Sequence, residues 1–329
     1  MPKVSVILTN YNYAAYLPKR LDSIVQQTFQ DFEVIYVDDA SEDNSVEIAR
    51  HYLPERSSTF IVNERNSGSP FRSWNKGVQQ ARGDYLWLAE ADDWADPRFL
   101  AETVQIMQAH PGLGLVYCSS RIVDAQNRIT GETISLTDDL DQQLWRQNFT
   151  MHGAQFCLQY LISRNVIHNA SAVLIRRTSW DQAGQADENM RLAGDWLQWV
   201  KILEHADIGY TALPLNFFRT HAQSAREQVS QDFSDIVEYY QVLHYIAQHF
   251  TPSADTMSQA FEELFLRCMA RRPKMSSLSH RHTLQQLCRI VQELGQYDPG
   301  ILKTVLRFVR AGSKRKLKRL WNDLRREKP

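Results

Sequence analysis

Cysteine is scarce in this chain, and a glycine-rich phosphate loop is missing from its first strand-like stretch. The 329 residues hold four cysteines, Cys118, Cys157, Cys268 and Cys288, far apart and without a CxxC pair. That spacing indicates neither a zinc site nor a disulfide framework and fits a reducing, cytoplasmic setting. No window approaches the roughly eighteen apolar residues of a spanning helix. The opening MPKVSVILTNYN enters a strand-like run with no basic leader and no long apolar segment, so secretion is not expected. A formal net charge of -1 argues against bulk binding of a polyanion, so nucleic acid is not an expected partner.

What is present alternates. KVSVILTNYN, FEVIYVDDAS, STFIVNE and DYLWLAEADD are short runs rich in β-branched and aromatic residues. Between them YLPKRLDSIVQQT, NSVEIARHYL and RSWNKGVQQARG have helical spacing. Strand, helix, strand, helix predicts an α/β fold with a mostly parallel central sheet flanked by helices. Further on, PRFLAETVQIMQAHP reads as a helix and GLVYCSSRIVDA as a strand extending the sheet outward. Residues 135 to 165 are polar and irregular. HNASAVLIRRTSW then reads as a strand, GDWLQWVKILEHA as a helix and IGYTALPLNFFRTH as a strand. From about 228 only helical periodicity remains, which predicts a catalytic domain over 1–227 and an all-helical C-terminal region over 228–329.

That region ends in two amphipathic cassettes. Leu302, Val305, Leu306 and Val309 share a face, and Leu317, Leu320, Trp321 and Leu324 repeat it after Gly312-Ser313. Lys314, Arg315, Lys316, Lys318, Arg319, Arg325 and Arg326 dress the second. Peripheral contact with an anionic membrane is one reading of such a helix, and docking on its own domain is the other.

In sheets of this kind ligands gather outside the carboxyl ends of the strands. Polar residues cluster there: Thr9, Asn10, Tyr11 and Asn12; Asp38, Asp39 and Ser41; Glu90, Asp92 and Asp93. In LWLAEADDW an apolar run ends in three carboxylates within four positions. Such crowding suits a hard divalent cation that bridges phosphates. Equally, Asp92 and Asp93 suit the N-terminus of the helix starting near Pro97, and Asp38 and Asp39 that of SEDNSVEIA.

With its context this cluster resembles the acidic metal motif of family 2 glycosyltransferases, inverting enzymes of the GT-A fold. The resemblance spans roughly residues 3 to 225 and rests on VSVILTNYN, VDDAS, NSGSPFRSWNKGVQQARGDYLWLAEADD, GDW and FFRTH in that order. It implies a nucleotide-diphosphate donor, UDP-linked, and a divalent cofactor, manganese or magnesium. It also places Thr9, Tyr11, Asp38 and Asp39 at the base and ribose, and Asn75, Glu90 and Ala91 at the donor. Asp92 and His221 fall at the metal, with Arg219 nearby. Arg72 and Lys76 are either phosphate contacts or a solvated helix face. Where the family usually has Asp, this chain has Glu90.

The resemblance places the base that deprotonates the acceptor hydroxyl at the start of a helix, commonly as ED; here AGDWLQW offers Asp195 after Gly194. A carboxylate is favoured there by the helix dipole, so a purely capping role fits too. Trp196 and Trp199 are either a wall for a sugar ring or core. HNASAV, with His168, Asn169 and Ser171, falls at the acceptor side and identifies no particular sugar. The implied acceptor is a glycan or lipid-linked glycan of bacterial surface polysaccharide synthesis. A nucleotidyltransferase would want a glycine-rich loop that LTNYNYAAYL lacks. A non-catalytic nucleotide-sugar-binding or scaffold protein remains open if Glu90 and Gly194 mark lost activity.

Overall fold

The computed structural model describes residues 1–54, 58–221, 234–271 and 289–296. Strand β1 (Val4–Asn10) is buried along its whole length. It lies between β2 (Phe32–Asp38) and β4 (Tyr85–Glu90), parallel to both, and β3 (Ser58–Val62) continues the parallel set beyond β2. Continuous apolar runs belong in such a setting, because both faces of the sheet are covered. Helices α1 (Leu17–Val25), α2 (Ser45–Tyr52) and α3 (Pro70–Gln80) link these strands.

The remaining strands are β5 (Trp94–Ala95), β6 (Leu113–Val123), β7 (Ile129–Glu132), β8 (Phe149–Met151), β9 (Val173–Arg176) and β10 (Asp207–Arg219). The sheet runs β3-β2-β1-β4-β9-β6-β10-β5, with β7 on β6 and β8 on β10. It is mixed rather than mostly parallel: β9 is antiparallel to both β4 and β6, while β10 is parallel to β6. Two reversals restore direction, so β1, β2, β4, β6 and β10 all end on one edge. Instead of extending the sheet outward, β6 sits inside it. The run HNASAVLIRRTSW is divided, since the strand stops at Arg176 and α6 (Arg177–Ala183) begins at once.

Two more helices flank this sheet, α4 (Phe99–Ala109) and α7 (Gly194–Leu203). Between residues 133 and 161 lie short 3-10 turns, β8, a four-residue helix α5 (Gly153–Phe156) and a π-helical turn, Cys157–Leu161. Cys118 and Cys157 are buried free thiols, and burial pushes both well above the usual range, so neither is poised as a nucleophile.

Two compact units result, Met1–Leu161 with Asn165–Gln228, and Ile162–Arg164 with Val229–Pro329. The second shows α8 (Ser234–His249) and α9 (Ala254–Arg271), with Tyr240 and Phe261 ring centres 5.5 Å apart. The basic amphipathic cassettes after 301, together with Cys288, lie outside the described residues. Among the described residues no helix is long and apolar enough to cross a membrane.

One buried charge staples the parallel strands. Glu33 on β2 accepts from Ser5 Oγ at 2.7 Å and the Arg82 amide at 2.8 Å, and it pairs with the Arg82 guanidinium. Burial pushes this carboxyl up, but those hydrogen bonds win and hold it below its ordinary value. Glu33→Gln is therefore expected to lower stability by about 2 kcal/mol at neutral pH, read from urea midpoints. Because the folded pKa is depressed, the contribution is present above the unfolded value near ~4.3 and fades as pH falls through the folded one. Below the folded value the two midpoints converge.

Candidate active site

Since β4 and β10 end on the same edge, residues 127 apart in sequence meet there. Asp93 is 2% exposed. Its Oδ1 accepts from the Arg219 amide at 2.9 Å and its Oδ2 from Asn169 Nδ2 at 2.8 Å. The Arg219 guanidinium donates to the carbonyls of Asp92 and Asp124 and to Asn127 Oδ1. These bonds fix the chain around Asp92 and just before His221. The outcome is His221 Nε2 at 3.0 Å from Asp92 Oδ2.

The His221 ring sits against Tyr13 and Tyr16, with centroids 5.5 and 5.2 Å away. Its Nδ1 is buried and has no hydrogen-bond partner among the described residues, so the contacts given for the ring are those with the two tyrosines and Asp92. Burial and the nearby Asp92 push the Tyr13 hydroxyl far above its usual range, which keeps it neutral.

A divalent cation fits this donor set. One carboxylate oxygen and one imidazole nitrogen within 3.0 Å can share an ion. Among the described residues no group of three or more His, Cys, Asp or Glu is placed to hold a metal ion together. Oxygen ligands from outside the protein would be needed to complete the shell of a manganese- or magnesium-like ion.

Glu90 turns elsewhere. Its Oε2 accepts from Thr9 Oγ1 at 2.8 Å and its Oε1 from Trp74 Nε1 at 2.7 Å. Burial raises its pKa to about 7, the Thr9 bond opposing and Asp92 reinforcing the rise. The extra methylene relative to aspartate lets it span from β1 to α3. Trp74 meets Phe71 edge-to-face at 5.0 Å and lies 6.2 Å from Trp199 on α7. A Cβ on Gly194 would come within 2.4 to 2.6 Å of the Phe71 ring. Packing thus runs from the acidic strand end through Trp74 and Phe71 to the first turn of α7, where Asp195 stands. Asn165 Nδ2 donates to Asp195 Oδ2 at 3.0 Å, and the Trp196 amide donates to Oδ1 at 2.6 Å.

The sequence model described as glycosyl transferase family 2 matches residues 5–171. This chain belongs to glycosyl transferase family 2. A PGL/p-HBAD biosynthesis glycosyltransferase of Mycobacterium tuberculosis is 29% identical over 196 residues, 59% of this chain and 67% of that one. A Haemophilus influenzae protein described as an uncharacterized glycosyltransferase is 24% identical over 254 residues, 77% of this chain and 78% of its own. Among solved structures, S. aureus TarS 1–349 in complex with UDP-GlcNAc superposes with a TM-score of 0.70 at 18% identity, covering 98% of this chain and 92% of that one. The mannosyltransferase PcManGT of Pyrobaculum calidifontis, in complex with GDP-Man and Mn2+, gives 0.54 at 18%, covering 98% and 79%. At such identities these two speak for the fold, which is GT-A-like.

Several residues that the family resemblance assigned to ligands are engaged in the protein itself. Asp38 is wholly buried, and its oxygens take Asn10, Tyr36 and the Ser41 amide and hydroxyl, so it braces the loop after β2. Asn75, 2% exposed, clasps Ala186 and Glu188. The Ser171 hydroxyl accepts from the Glu90 amide, and the Ala91 amide donates to the Thr9 carbonyl. Trp196 is 2% and Trp199 0% exposed, and Trp196 Nε1 donates to the Leu161 carbonyl, so both are core rather than a sugar platform. Arg72 and Lys76 pair with Glu188 and Asn63. Asp39 holds the following loop through Asn63 and Ser67, while Tyr11, 42% exposed, stands at the rim.

Capping explains none of the acidic residues at the strand ends. The α2 start is served by Asp43, which accepts from the Ser45 amide, and that of α4 by Asp96, which accepts from the Arg98 amide. The residues that sequence reasoning left out are Asp93 as an anchor, Trp74, Asn165, Tyr13 and Tyr16. Only Trp74 carried a signal, as a large aromatic inside the family's NSGSPFRSWN stretch.

Gly194, where the family commonly has glutamate, leaves room for Phe71 and is a packing solution. Gly194→Glu is expected to cost about 1–3 kcal/mol by overpacking, read as a lower denaturation midpoint. Combining it with Phe71→Ala should cost less than the two separate changes together.

Proposed function

We propose that this glycosyltransferase moves a sugar from a nucleoside-diphosphate donor, UDP-linked, to a hydroxyl of a glycan or lipid-linked glycan, with inversion at the anomeric carbon. The observation that carries the reading is the Asp92–His221 pair at 3.0 Å, on the edge where β1 and β2 also end. In this reading Tyr11, Thr9 and Asp39 line the base side, and Asp92 and His221 hold the cation. When bound, that cation offsets the charge that collects on the departing diphosphate. Asp195 takes the proton of the acceptor hydroxyl as its oxygen attacks the anomeric carbon, and the bond to the diphosphate oxygen breaks on the opposite face.

The bond from Glu90 to Trp74 and the ring over Gly194 give both departures from the family pattern a structural reason, which favours the catalytic reading over a degenerate scaffold. Synthesis of a bacterial surface polysaccharide or glycolipid is the biological setting proposed. A thermal-shift screen of UDP-, GDP-, dTDP- and CMP-linked sugars, with and without manganese, tests the donor class. Stabilisation by UDP-sugars that requires manganese is expected; a shift with no nucleotide at all overturns the reading.

A further inference from the structure

Arg20 is a cation where helix α1 should present an apolar surface. Leu17, Leu21 and Ile24 share its face, and all four are 0% exposed. Among the described residues its Nε, Nη1 and Nη2 all lack a hydrogen-bond partner. The Trp87 ring, 4.7 Å from the guanidinium carbon, offers cation–π attraction but no acceptor. Burying a cation so is unfavourable, and a leucine or methionine would fill the same space without that cost.

Trp87 lies three residues before Glu90 on β4, so the guanidinium sits toward the acidic strand end. Burial lowers the Arg20 pKa to about 10, and Asp93, Glu90 and Asp92, in that order, push it back up, so it is a cation at neutral pH. Arg219, 2% exposed, is a second buried guanidinium, beside Asp92 and Asp93, and its donors are taken by carbonyls and Asn127. Lys19 lies instead over the Trp94 ring at 3.6 Å. The two buried guanidiniums already offset much of the negative charge that the acidic strand end can carry. A bare divalent cation reverses that balance in a low-dielectric setting, whereas a cation accompanied by a diphosphate does not.

We infer that Arg20 is an internal counter-ion of the acidic strand end, holding the Asp92–His221 pair's affinity for a bare divalent cation low so that the cation is captured together with the nucleoside diphosphate. This rests on the donor-site reading above and adds to it a residue that touches neither ligand. Arg20 is a tuning residue: it acts through the carboxylates that face it.

The test is calorimetric titration of Mn2+ into the full chain, with and without UDP, for wild type, Arg20→Met and Arg20→Lys. Wild type is expected to bind Mn2+ at least about tenfold more tightly with UDP than alone. Arg20→Met should tighten nucleotide-free Mn2+ binding by at least about tenfold, from the charge removed. It should also gain a Mn2+-dependent rise in Tm that wild type lacks. Arg20→Lys, which keeps the charge, should follow wild type. A folded Arg20→Met with unchanged Mn2+ affinity overturns the inference, as does tight binding of Mn2+ by wild type without UDP. If Arg20→Met folds only when Mn2+ is present, the inference is supported. If it folds under neither condition, the wild-type comparison decides alone. Absence of Mn2+ binding even with UDP overturns the donor-site reading itself.

Discussion

Asp195→Asn is expected to reduce sugar transfer by about 10²–10⁴-fold while leaving manganese-dependent UDP binding unchanged. Asparagine keeps the shape of the side chain and an acceptor oxygen for Asn165 or the Trp196 amide, but it cannot take a proton from the attacking hydroxyl. The scaffold around it is firm: Trp196 and Trp199 are core, and Trp196 Nε1 is tied to the Leu161 carbonyl at 2.9 Å. A fall in turnover therefore reports chemistry and not a displaced helix. The measurement is UDP release with acceptor present, beside calorimetry with UDP and manganese. Turnover equal to wild type would remove Asp195 from the role of base.

Asp92→Asn addresses the other half of the site. UDP affinity in the presence of manganese is expected to fall by at least on the order of tenfold, the loss that even the outer partners of a metal ligand produce. Affinity without manganese should stay as it was. Removing the charge leaves Asp93 holding the Arg219 amide at 2.9 Å and Asn169 at 2.8 Å, so the loop keeps its course. His221→Asn should act in the same direction, because in the proposed site Nε2 would hold the ion together with Asp92. Equal UDP affinity with and without manganese in wild type would refute both expectations.

The parallel half of the sheet was legible because its strands are short, β-branched and separated by helices of clear period. The position of β6 was not, since strand order depends on which surfaces bury one another, and β9 inserts between β4 and β6 from a distant part of the chain. The division of HNASAVLIRRTSW was equally hidden. Arg176 and Arg177 differ little in propensity, yet one closes a strand and the other opens a helix.

The acidic cluster, the helix-start aspartate and the histidine after the last strand were all readable, since charge crowding and motif order are properties of the chain itself. Which of the polar residues face a ligand was not. Asp38, Asn75 and Ser171 look like ligand contacts by position, yet each is consumed by bonds inside the fold. Arg20 carried one signal, a charge on an apolar helical stripe with Leu17, Leu21 and Ile24, but nothing local says what balances it.

By itself the sequence determined the alternation of elements, the family and which residues are candidates for binding a cation and taking a proton. The tertiary structure alone decided which of those groups meet. Two antiparallel reversals bring β10 back into line with β4, and that places His221 beside Asp92. The reason is physical: local propensity fixes each segment's conformation, whereas the meeting of residues 129 apart depends on burial shared across the whole sheet.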